Sequence, residues 1–242
     1  MSSQAHNNRL EEVIKHFALT DPTAVAIVSS KHNSFSYSQL VWQIEHVARS
    51  LSQSGFRKSA PLAIAINDTA PAALAILSIA CSAAAVPLDQ NLSAGEIEIR
   101  LKLLGVNGVC VLAGETTTAR TVAENQGIAI IELMPKDKRE LTFSLSAPKI
   151  PSKNQLDNPA LDGVAVIFQT SGTTAEPKLV PCLHSSLLAS AERVRKWFNL
   201  NKHDRCLSIM PPCFSHGLTF TILAPLLSGG SVAFPESPSK VN

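Results

Sequence analysis

"IFQTSGTTAEPKLVP", residues 167–181, decides how the rest of the chain is read. An apolar run with the composition of a buried strand breaks into Thr170, Ser171, Gly172, Thr173 and Thr174, and Lys178 follows four positions later. Two readings compete. Serine, threonine and glycine make turns, because hydroxyls compete for backbone hydrogen bonds and glycine accepts positive φ. The same residues also make a phosphate cradle, since clustered hydroxyls and open backbone N–H groups supply many donors at once and glycine admits close approach. The spacing is neither that of a Walker loop nor G-x-G-x-x-G.

Working outward, strands and helices alternate. "GVAVIFQ" (163–169) enters the quoted stretch as a core strand, and "LHSSLLASAERVRKWFNL" (183–200) follows it as an amphipathic helix. "RCLSIMP" (205–211), an apolar helix over 217–229 and "SVAFP" (231–235) continue the pattern. Upstream, "AVAIVSS" (24–30) and "FSY" (35–37) read as a hairpin. Leu40, Ile44, Val47 and Leu51 then share one helical face, with Ser36 or Ser38 as cap and Gly55 as stop. "PLAIAIN" (61–67), a buried helix from residue 70, "AAVPLD" (84–89), a helix capped by Ser93 and Glu96, "GVCVLA" (108–113), a helix over 115–127 and "IAIIEL" (128–133) complete the series. Strands that are apolar throughout and separated by helices predict an α/β fold of layered, parallel-rich sheets with helices on both faces. Residues 134–160, rich in proline, lysine and serine, read as a linker or surface excursion. The expected division is a first α/β subdomain over 1–155 and the start of a second over 156–242, which carries the hydroxyl-rich stretch. The pattern is still running at "ESPSKVN", so an incomplete domain is expected.

Bulk properties narrow the function. The 242 residues are 45% hydrophobic and 17% charged, with a net charge of +2, which gives no electrostatic case for nucleic acid. The seven histidines are scattered without metal-ligand spacing. The five cysteines form no C-x-x-C pair and sit among apolar neighbours, which predicts reduced thiols in a cytoplasmic protein. Cys213 near His216 has the residue types of a nucleophile and base, although free cysteine usually serves as a small core residue. The N-terminus lacks the apolar core of a signal peptide. Residues 70–88 are apolar but bracketed by Pro71 and Pro87, too short for a membrane span.

"TSGTTAEPK" resembles the signature loop of the adenylate-forming (AMP-binding) superfamily, which includes acyl-CoA synthetases, luciferases and the adenylation domains of peptide synthetases. The family pattern is Thr-Ser-Gly-Ser/Thr-Thr-Gly-x-Pro-Lys. Thr170 to Thr174, Pro177 and Lys178 match it, and Ala175 departs where the family has Gly or Ser. Three further blocks follow the family's order. "FSYSQL" (35–40) is similar to Leu-Thr-Tyr-x-Glu-Leu, "AVPLDQNLS" (85–93) to Tyr-Val-Pro-Leu-Asp-Pro, and "MPPCFSHGLTF" (210–220) to Pro-Leu-Phe-His-x-x-Gly-Leu.

The resemblance implies ATP-dependent activation of a carboxylic acid as its acyl-adenylate, then transfer to a thiol such as coenzyme A. It implies Thr170, Ser171, Gly172, Thr173, Thr174 and Lys178 as ATP contacts, with Lys178 and His216 as catalytic residues. His216 followed by Gly217 and Leu218 resembles the acyl- and aryl-CoA synthetase branch; the amino-acid-activating branch of peptide synthetases is the alternative. The family's Thr-Glu segment for Mg²⁺, its ribose-binding aspartate and its C-terminal catalytic lysine have no counterpart in these residues. The isolated chain is therefore expected to be inactive, either a part of an enzyme completed by the missing C-terminal portion or a non-catalytic binding or folding unit.

Overall fold

The computed structural model describes residues 9–89, 91–150, 159–170 and 177–236. Helix α1 (Leu10–Thr20) leads to strand β1 (Val25–Ser29), which pairs antiparallel with the short β2 (Phe35–Ser36). Helix α2 (Tyr37–Gln53) begins on the predicted cap: the Gln39 N–H donates to Ser36 Oγ at 3.3 Å and the Ser36 N–H to Gln39 Oε1 at 2.8 Å. Three βα steps and a further strand follow, through β3 (Pro61–Ile64), α3 (Thr69–Ala80), β4 (Ala84–Pro87), α4 (Ala94–Leu104), β5 (Gly108–Leu112), α5 (Thr118–Asn125) and β6 (Ala129–Pro135). Ser93 and Glu96 form the expected capping box on α4. Helix α3 is buried on every side from Ala70 to Ala80, which accounts for its membrane-like composition. Each of its large side chains, such as Leu74 and Leu77, contributes roughly 1.5–3 kcal/mol through burial.

Two sheets result. The larger has the order β7-β6-β5-β3-β4-β8-β9, with β7 (Phe143–Ser146), β8 (Val164–Thr170) and β9 (Lys178–Leu183). Its interior strands are parallel, and β7 and β9 close its two edges antiparallel. The smaller has the order β10-β11-β1-β2, with β10 (Arg205–Leu207) and β11 (Ser231–Phe234). Helix α6 (His184–Phe198) connects β9 to β10, and a π-helical segment (Gly217–Leu223) runs into α7 (Ala224–Leu226) before β11. Both sheets draw strands from either side of residue 155, so a boundary there divides the chain but not the hydrogen-bonded layers.

The expected linker is partly structural. Leu141 and Phe143 are buried, and β7 docks on α2 through the buried Gln43. The Gln43 amide donates to the Phe143 carbonyl at 2.9 Å and accepts from the Phe143 N–H at 3.2 Å. A second long-range tie is Tyr37, fully buried at the start of α2. Its hydroxyl lies 2.7 Å from the carbonyls of both Leu226 and Gly230, and fixes α2 to the turn between α7 and β11. Burial raises the Tyr37 pKa, so the phenol stays a donor.

Candidate active site

β8 runs parallel to β4, so its last residue, Thr170, lies at the edge of the sheet where the parallel strands end. In open α/β sheets this is the edge where ligands bind. β9 begins on the same edge, because Thr170 is the direct cross-strand partner of Lys178. The hydroxyl and the ammonium are thus placed side by side, both exposed. No carboxylate neutralises Lys178 among the described residues. Ser171, Gly172, Thr173 and Thr174, the other predicted phosphate contacts, lie outside the described residues.

Gln169, beside Thr170 on β8, was not singled out by the sequence. Its amide nitrogen is buried and has no hydrogen-bond partner among the described residues. An unmet buried donor costs about 1–3 kcal/mol. The exposed residues at this end of β8 and β9 offer a hydroxyl and a cation, which is the chemistry a polyphosphate requires.

His216 belongs to the other sheet. The chain leaves β10 for residues 208–216 and turns helical at Ser215. Gly217 makes this turn feasible: a Cβ there would lie 2.2 Å from the Pro211 carbonyl oxygen. The expected apolar helix is π-helical over Gly217–Leu223, with Ser208 and Thr221 hydroxyls 2.8 Å apart and Thr221 donating to the Gly217 carbonyl at 2.7 Å. His216 is exposed and stacks on Phe220, with ring centroids 5.0 Å apart at 27°. Phe214, Met210 and Ile209, in the segment that precedes it, are also exposed. Helix α6 packs against β8, β9 and the π-helical segment, and so spans the two parts of the site.

Two of the sequence blocks meet here. Burial pushes the Cys213 thiol up to about 12, and the charge of Asp89, at the end of β4, adds to the shift. The "AVPLDQ" and "PPCFSH" blocks are therefore neighbours. Burial favours the neutral thiol over the reactive thiolate, which suits Cys213 to packing, the usual role of a free cysteine. Among the described residues no three His, Cys, Asp or Glu side chains are placed to hold a metal ion.

Residues 14–242 match the family described as AMP-binding enzyme. The chain belongs to that family. Among relatives, it is 28% identical to the oxalate–CoA ligase of Arabidopsis thaliana, over 98% of this chain and 46% of that protein. It is also 28% identical to the AM-toxin synthetase of Alternaria alternata, over 98% of this chain but 5% of that much longer protein. ATP-bound MatB from Rhodopseudomonas palustris has the same fold, with a TM-score of 0.74, 21% identity, and coverage of 93% of this chain and 45% of that one. The chain thus spans about half the length of such AMP-binding ligases. No helix among the described residues is long and apolar enough to cross a membrane.

Proposed function

We propose that this chain carries the pyrophosphate-cradling part of an ATP-dependent carboxylate-activating enzyme. The observation that supports it best is the Thr170–Lys178 pair at the ligand edge of the larger sheet. In the reaction, a carboxylate oxygen forms a bond to the α-phosphorus of ATP. The bond from that phosphorus to the bridging oxygen breaks, and its electron pair leaves with pyrophosphate. Negative charge grows on the leaving group, where the Lys178 ammonium and the hydroxyls of Thr170, Ser171, Thr173 and Thr174 are to donate, with Gly172 giving the backbone room. Donors held in place before charge develops are the largest single source of such catalysis.

Mg²⁺ accompanies ATP, and no residue of this chain is assigned to it. The acyl-adenylate then passes to a thiol, for which we name coenzyme A. The His216–Gly217–Leu218 block and the exposed rings of Phe214 and Phe220 suit an uncharged acyl or aryl group better than an α-amino acid, whose ammonium would need a carboxylate partner. The remaining parts of the site belong to a complementary C-terminal portion of the same fold. Leu207 at the end of the edge strand β10, and Ile209 and Met210 just beyond it, are exposed and offer it an apolar contact. The five free cysteines suit a reducing cytoplasm.

The test is acid-dependent exchange of labelled pyrophosphate into ATP by a chain extended through the Thr-Glu, ribose and lysine segments. Exchange with an aliphatic or aromatic acid is expected. Exchange with amino acids alone would move the protein to the peptide-synthetase branch, and no exchange with either class would refute the proposal.

A further inference from the structure

A relay of two hydroxyls lies one position beyond the His216 ring. Thr221 donates its hydroxyl to the Gly217 carbonyl at 2.7 Å, and the Ser208 hydroxyl lies 2.8 Å from the same Thr221 oxygen. A threonine hydroxyl has one proton to give, and a carbonyl only accepts. The Thr221 proton therefore goes to Gly217, and Ser208 donates to Thr221. Ser208 is itself buried where β10 ends, and its N–H donates to the Ala233 carbonyl of β11 at 2.8 Å. The relay thus ties the π-helical segment to the smaller sheet through one buried side chain.

Its spacing matches that of the ring pair. Gly217 follows His216 and Thr221 follows Phe220, so the hydroxyl bond and the ring stack span the same turn. That turn is wound wide, and at its end the Ala224 N–H donates five positions back, to the Thr219 carbonyl. π winding is rare, occurs mostly as single turns and gathers at functional sites. On the inner side Leu218, Ile222 and Leu223 are buried. On the outer side His216 and Phe220 are exposed, and the imidazole makes no hydrogen bond among the described residues. The turn beneath it sets the place of the ring.

We infer that Thr221 is a positioning residue for His216: its hydroxyl, held by Ser208, closes the turn that keeps the imidazole against Phe220. The catalytic consequence rests on the proposed reading that His216 borders the acyl group. The Thr221 proton is already given to Gly217, so this residue acts on the substrate through the ring. Thr221→Val removes the hydroxyl at nearly constant shape, and Thr221→Ser restores it. Adding Ser208→Ala to Thr221→Val leaves no buried hydroxyl without a partner, which guards against a variant that fails to fold.

The first measurement needs no activity. In the 242-residue chain with labelled histidine, the NMR signal of His216 is assigned by its loss in His216→Ala. Stacked on Phe220, its ring protons resonate upfield, and Phe220→Leu marks the unstacked position. Thr221→Val, alone or with Ser208→Ala, should move the signal to that position, and Thr221→Ser should keep it upfield. The second measurement is pyrophosphate exchange in the extended chain. Thr221→Val should lower kcat/KM for the acid by up to about a hundredfold, and Thr221→Ser should restore it. In a His216→Ala background Thr221→Val should cost nothing further, because its effect passes through the ring. An upfield signal that survives loss of both hydroxyls would overturn the inference. So would equal losses with and without His216, the mark of a merely structural residue. A signal that moves while His216→Ala leaves exchange unchanged would instead overturn the reading of His216, and the catalytic consequence with it.

Discussion

His216 is exposed, and its ring contact is with Phe220, which is exposed as well. Removing the imidazole therefore opens no core cavity, and surface changes of this kind usually alter stability by less than about 0.5 kcal/mol. If the ring borders the acyl group, His216→Ala in an extended, active chain changes acid preference or turnover while the melting temperature holds. A lowered melting temperature with unchanged turnover per folded molecule would make it a structural residue. Thr170, Lys178 and His216 are proposed on residue type and local spacing, which a sequence displays. Gln169 could not be singled out there, because a buried amide is a signal only once its burial and lack of a partner are known.

Elements with strong local signatures were legible. Ser36 and Ser93 announce their helices, and α3 is apolar at every turn. The edge strands were not. β9, "KLVPCL", carries Pro181 and alternates without a buried face, which an edge strand tolerates. β7 lies in a polar stretch, and its place is fixed by Gln43, exactly one hundred positions away, a contact no window reveals. Over 217–223 an apolar run does not distinguish α from π winding. The first residue of α6 yields a prediction. His184 is buried at that helix N-terminus, its Nδ1 accepts the Leu10 N–H at 3.3 Å, and burial and the charge of Arg9 lower its pKa from 6.5 to about 4. The unfolded chain thus binds a proton below pH 6.5 that the native state refuses until about pH 4. Stability should fall across that window, by up to ~3 kcal/mol at ~1.4 kcal/mol per pKa unit. His184→Gln keeps an acceptor and does not titrate, so its denaturation midpoints should lose that slope. An identical slope in the variant would exonerate His184.

At the scale of the molecule, the α/β class followed from alternation, and the layering did not. β1 pairs with β11 across the expected boundary at residue 155, and carries its hairpin partner β2 into the same sheet. Long-range pairing depends on which apolar faces meet, and periodicity within a strand does not encode that. On the proposed function the chain provides one wall of a site, and the family's Mg²⁺, ribose and lysine segments have no counterpart in its 242 residues. Acid-dependent pyrophosphate exchange by this chain alone should be undetectable; measurable exchange would mean that these segments are dispensable.

The central claim is that residues 170–178 hold the departing pyrophosphate. It is tested most directly by pyrophosphate exchange in the extended chain with Lys178→Ala. Loss of this donor should lower turnover by the equivalent of about 2.7–4 kcal/mol, a hundredfold to a thousandfold, with little change in the KM for the acid. Undiminished turnover would contradict it, and would leave Lys178 as a solvated residue at the start of an edge strand.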